Sequence, residues 1–118
     1  MTSNGKAETR MEWEQNGAQW IAVLDGEIDH HAARIARERI DAAIAQHRIR
    51  ELALDFGKVT FMDSSGIGLI MGRYRVMKEA GGTLRVIHCT PQLQKLMRLA
   101  GLGVLHIVES DGERGNDQ

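Results

Sequence analysis

Hydrophobic and polar residues change their rhythm several times along this chain. Met11, Trp13 and Gln15 alternate with Glu12 and Glu14, the two-residue period of a short strand. Asn16-Gly17 is a strong two-residue hairpin signal, and Trp20 to Leu24 reads as the returning strand, ended by Gly26. The period then lengthens. Ala32, Ile35, Ala36, Ile40, Ala43 and Ile44 recur at helical spacing behind Asp29, a good N-cap, and predict a first helix over about residues 30–47. Ile49 to Asp55 is an apolar strand of the kind buried on both faces in a parallel sheet. Residues 56–63 read as a loop whose apolar side chains Phe56, Val59, Phe61 and Met62 anchor it to the core. A second helix is predicted over about residues 64–80, stopped by Gly81-Gly82. Thr83 to His88 is a strand. Thr90-Pro91 caps and opens a third helix, residues 91–100, with Leu93, Leu96, Met97 and Ala100 on one side. Gly101 ends it, and Val104 to Val108 is the last predicted strand, with His106 on its surface.

Helices alternating with strands after an opening hairpin predict an α/β fold with right-handed crossovers. The sheet should be small, mixed and mostly parallel, with the N-terminal hairpin antiparallel and the helices packed against it. The order of its strands does not follow from the pattern. Residues 1–10 and 109–118 are polar and are expected to be tails, leaving one domain over residues 11–108.

The second helix has two unlike faces. At about 100° per residue, Ile67, Ile70, Met71, Tyr74 and Met77 fall on one broad stripe, predicted to meet the core. Ser64, Gly68 and Gly72 fall nearly opposite, and Arg75 and Glu79 continue that side. A helix gives up about 1 kcal/mol for each glycine relative to alanine. Close packing within the domain is one reason for such a row. A surface approached by another protein's backbone is the favoured one here, because the core stripe lies elsewhere. Leu69 and Val76 flank the row and are expected to supply apolar contacts.

Composition narrows the classes of function. At 118 residues the chain suits a single core, and a formal net charge of -1 gives no electrostatic case for binding nucleic acid. Arg34, Arg37 and Arg39 alternate with Glu38 and Asp41 and read as a solvated helix face. Cys89 is the only cysteine, so no internal disulfide forms. No apolar run is long enough to span a bilayer, and residues 1–10 lack the apolar centre of a signal peptide. A cytoplasmic protein that does not engage a membrane is expected.

Familiar catalytic and binding motifs fail on their spacing. Gly66, Gly68 and Gly72 miss the dinucleotide fingerprint, whose third glycine would fall at Met71, and the Gly-Lys-Ser/Thr of a phosphate loop is absent. A nucleophile elbow needs glycine two residues before its serine, where Ser64 has Met62 and Ser65 has Asp63. Asp29, His30 and His31 form no set with metal-ligand spacing, and His88 and Cys89 point to opposite faces. No catalytic residue, cofactor or metal is expected. Ser64 and Ser65 remain, placed where a loop enters a helix. Unpaired N–H groups and the positive end of the helix dipole suit that place either to serine capping or to a serine that carries phosphate.

The segment Phe61-Met62-Asp63-Ser64-Ser65-Gly66-Ile67-Gly68, with Gly26 to His31, Leu69 to Tyr74, Lys78 and Gly81-Gly82, resembles the bacterial anti-sigma-factor antagonists. These share the fold of the sulphate-transporter and anti-sigma-antagonist (STAS) domain. The sporulation antagonists of anti-sigma-F factor give the nearest pattern, and the resemblance spans about residues 11–108. It implies that the serine directly after the aspartate, Ser64, is a regulatory phosphorylation site. It further implies an anti-sigma factor that is also an ATP-dependent serine kinase, a serine phosphatase that reverses the modification, and a binding switch rather than an enzyme. Asp29, Asp63, Ser64, Ser65, Gly68, Leu69, Gly72, Arg75 and Val76 are the expected partner-facing residues. Two alternatives stay open: a stress-response or other partner-switching STAS protein, and a small-ligand-binding α/β domain using the strand ends.

Overall fold

A computed structural model describes residues 10–109, so the expected tails lie, but for Arg10 and Glu109, outside the described residues. Four strands and three helices succeed one another: β1 (Arg10–Asn16), β2 (Gln19–Ile28), α1 (His30–His47), β3 (Glu51–Met62), α2 (Ser64–Glu79), β4 (Thr83–Ile87) and α3 (Pro91–Leu99). A short 3-10 helix, Leu102–Leu105, comes after α3. The strands lie side by side in chain order, β1-β2-β3-β4. β1 runs antiparallel to β2; β2, β3 and β4 are parallel. This is the mixed, mostly parallel sheet expected from the alternation of elements.

Register places the core. Ala22 pairs with Leu54, which pairs with Val86, and Leu52 pairs with Leu84. All five side chains are buried, together with Ala36, Ile40 and Ile44 of α1 and Ile70 and Met77 of α2. Burying such an aliphatic side chain contributes about 1.5–3 kcal/mol, far more than any helix propensity difference, so packing fixes the helices on the sheet. The end of α2 is closed by two backbone bonds, Gly82 N–H to the Met77 carbonyl at 2.8 Å and Gly81 N–H to the Lys78 carbonyl at 3.1 Å. Gly81 has φ 79, the left-handed residue that this helix ending requires. Thr90 caps α3 through its hydroxyl, which accepts from Leu93 N–H, and Pro91 opens the helix as expected.

Four expectations from the sequence change. The hairpin loop is Gly17-Ala18 rather than Asn16-Gly17, because Asn16 pairs with Gln19. β2 continues past Gly26 to Ile28 through two register shifts. The expected loop 56–63 is, through Met62, the second half of β3. Phe56, Val59 and Met62 are buried there as anticipated, whereas Phe61 is 52% exposed. The last predicted strand is mostly the 3-10 turn. His106 has φ 56 and is not on a strand, and Val108 alone bridges to Val86.

Candidate functional site

β2 and β3 are parallel, so their C-terminal ends lie at one edge of the sheet, and α1 and α2 both start there. Asp29 comes directly after β2 in extended backbone, and its carboxylate accepts the Ala32 N–H at 2.9 Å. Asp63 stands after β3 in the same way and accepts the Ser65 N–H at 2.8 Å. The Asp63 N–H reaches the Ile28 carbonyl at 3.3 Å, tying the two junctions together. An aspartate is a strong N-cap because its oxygen satisfies an otherwise unpaired first-turn N–H and its charge meets the positive helix end. Neither serine is therefore the cap. Ser64 is the first helical residue and is exposed; Ser65 is half-buried.

The first turn of α2 lies tight on the strand that feeds it. A Cβ at Gly66 would fall 2.2 Å from Met62 Cγ and 2.3 Å from its sulfur. Gly68 and Gly72 are different: a Cβ at either would meet nothing within 4 Å. Their openness excludes internal close packing as the reason for these two glycines and leaves a low ridge beside Ser64. Arg75 is exposed on the same side.

Two expected members of this surface are more buried than expected, although Leu69 still borders the gap between α1 and α2. Leu69 is 3% exposed and belongs to the core, and Val76 is half-buried and packed against it. Met71, expected in the core stripe, is 43% exposed. The stripe is thus rotated toward Leu69, and Met71 joins Phe61 among the exposed large apolar side chains. Asp29 is exposed and Asp63 half-buried, at adjacent helix starts.

The sequence reading missed Arg73. It is 5% exposed, and its Nε lies 2.9 Å from Asp41 Oδ1 of α1. That pair is close but poorly aligned: Arg73 Nε, Arg73 Nη1 and Asp41 Oδ1 are buried without a hydrogen-bond partner. Burial lowers the pKa of Arg73, with Asp41 opposing and Arg37 adding to the shift. Leu69, Arg73 and Met77 are spaced by four, a signal that position 73 lies on the buried side. Between α1 and α2 runs a cleft of about 400 Å³ lined by His30, Arg34, Arg37, Ser65, Gly68 and Arg73 among others. Arg34 and Arg37, exposed as expected of a solvated face, also form one wall of this groove, whose other wall carries the glycines. Among the described residues no group of three or more His, Cys, Asp or Glu could hold a metal ion, and no helix is long and apolar enough to cross a membrane.

Known proteins resemble this chain in sequence and in fold. The chain is 34% identical over 93 residues to the anti-sigma F factor antagonist of Paenibacillus polymyxa, covering 79% of this chain and 80% of that one. It is 38% identical over 83 residues to that of Lysinibacillus sphaericus, covering 70% and 71%. The solved structure of the Bacillus cell fate determinant SpoIIAA in its phosphorylated form superposes with a TM-score of 0.69 at 30% identity, covering 89% of this chain and 96% of that one. The sequence pattern of the STAS domain matches residues 10–111, and with the parallel strands, the paired helix starts and these relatives it makes the chain a member of the STAS domain family.

Proposed function

We propose that this protein is an anti-sigma-factor antagonist whose binding is switched by phosphorylation of Ser64. The unphosphorylated form binds an anti-sigma factor that is also an ATP-dependent serine kinase, and so releases the sigma factor. Phosphorylation at Ser64 ends binding, and a serine phosphatase restores it. The protein acts in the cytoplasm as a switch, without catalysis or cofactor. The anti-sigma F antagonists among its relatives favour the sporulation pathway.

The observation that carries this reading is the position of Ser64, exposed at the first residue of α2, directly after the capping Asp63 and on the side of Gly68 and Gly72. A phosphate there adds a charge of about -1.5 to -2, which the helix start tolerates. At an interface the same group brings bulk, repulsion from Asp63 and the cost of desolvation. Each ~1.4 kcal/mol lost lowers affinity tenfold, so the switch needs no rearrangement of the fold.

The test is incubation with ATP and a cognate anti-sigma-factor kinase, then phosphopeptide mapping and calorimetric titration. Phosphate is expected on Ser64 alone. Ser64→Ala should still bind the anti-sigma factor while escaping phosphorylation, and Ser64→Asp should bind weakly. Modification of Ser65 alone would move the switch by one residue. Equal binding by Ser64→Asp and the native chain would remove the charge argument.

A further inference from the structure

The cleft between α1 and α2 concentrates positive charge that the phosphorylation switch does not use. His30, Arg34 and Arg37 line it from α1, and Arg73 from α2, on a chain whose formal net charge is -1. Nearby acids leave Arg34 and Arg37 largely uncommitted, and Arg73 alone holds a close carboxylate, that of Asp41. Asp29 caps α1, and Asp41 meets Arg73 without a hydrogen bond. Glu38 reaches Arg37 only at 4.0 Å, with both side chains exposed, so that pair holds weakly. Arg34 contacts His31 Nδ1 at 3.3 Å rather than a carboxylate.

Arg73, although paired with Asp41, keeps a hydrogen bond unmade. Its side chain is 6% exposed, it lines the cleft, and Nη1 is buried with no hydrogen-bond partner. A buried guanidinium with an unmade bond is costly, and an anion in the cleft would offset that cost. Guanidinium groups match the planar, two-oxygen geometry of carboxylates. The other wall is built for a chain rather than for a lone ion. Gly68 and Gly72 are open to the cleft, and its ~400 Å³ holds several side chains.

We propose that the α1–α2 cleft is a docking groove for an acidic segment of a protein partner. Arg34, Arg37 and Arg73 receive its carboxylates, and Gly68 and Gly72 let its backbone lie close to α2. The proposal rests on the reading of α2 as the partner face and adds the chemistry by which that face recognises its partner.

The full chain, labelled with ¹⁵N, would be titrated separately with a hexaglutamate peptide, a hexaglutamine peptide and inorganic phosphate. Hexaglutamate should shift the Gly68 and Gly72 amide signals and the Nε–H signals of Arg34, Arg37 and Arg73 to saturation; hexaglutamine should shift none of them. The double variant Arg34→Gln, Arg37→Gln alters two exposed positions, so it should melt as the native chain does yet bind hexaglutamate about tenfold more weakly or worse. Equal response to the two peptides would overturn the proposal, as would shifts confined to other surfaces or undiminished binding by the double variant. Phosphate saturating these signals at lower concentration than hexaglutamate would also overturn it, in favour of a phosphate ligand. No anti-sigma factor is needed, so a groove that fails here leaves the Ser64 switch standing. A failure of Ser64 phosphorylation likewise leaves the titration intact.

Discussion

The chain enters α1 and α2 by similar devices, an aspartate in extended backbone that caps the helix, Asp29 through the third N–H after it and Asp63 through the second. Asp29 has φ -97 and ψ -170, and Asp63 has φ -105 and ψ -166; each caps the helix it precedes. After Asp29 come His30, His31 and Ala32; after Asp63 come Ser64, Ser65 and Gly66. Ala32 and Gly66 occupy the same place, third after the aspartate. The Ala32 methyl is accommodated at 3% exposure, whereas a methyl at Gly66 would run into Met62. Five residues after each aspartate stand Arg34 and Gly68, a long cation on one helix and an empty place on the other. One backbone solution thus serves two tasks. At α1 it supports a cationic wall, and at α2 it presents a hydroxyl beside a ridge bare of side chains.

Making the second junction like the first should break this division most strongly at Gly66. Gly66→Ala copies the α1 residue and improves helix propensity, yet it forces Met62 aside. Overpacking of that kind costs about 1–3 kcal/mol, so thermal melting should move down. An unchanged or raised melting temperature would mean that Met62 swings clear and the two junctions are interchangeable.

The caps come next. Asp29→Ala and Asp63→Ala should each lose about 1 kcal/mol in urea denaturation, because each removes one carboxylate acceptor from a helix start. Equal losses would support the equivalence of the junctions. A much larger loss at Asp63 would show that it does more than cap.

The smallest stability effect is expected at Gly68. Gly68→Gln places a side chain where α1 carries Arg34, with open space to receive it, and should stabilise the fold by about 0.5–1 kcal/mol. Binding to the anti-sigma factor should weaken all the same. A destabilised Gly68→Gln would return this glycine to internal packing, against the open space around its Cα.

The order of elements, Asp29 as a cap, the stop at Gly81-Gly82 and the cap at Thr90 were legible because each rests on local chemistry. The second half of β3 was not. Its burial falls at Phe56, Val59 and Met62, a three-residue rhythm that no flat strand shows. That rhythm accompanies register shifts against β2, and pairing across the sheet is invisible in a local pattern. The site divides in the same way. Ser64, Gly68 and Gly72 could be placed on one side of α2 by counting residues, but the fate of Leu69 and Met71 depended on how far α2 rolls against α1. Arg73 needed its partner Asp41, thirty-two positions away, before burial of a guanidinium there made sense.

Strand order also bears on biosynthesis. Because β1, β2, β3 and β4 are neighbours in space in the order in which they are made, each strand emerging from the ribosome finds its pairing edge already laid down. No early strand must wait, exposed, for a distant later one to complete its ladder. The sheet grows from one side as the chain lengthens, and each inner strand waits unpaired on its growing side no longer than the synthesis of one helix.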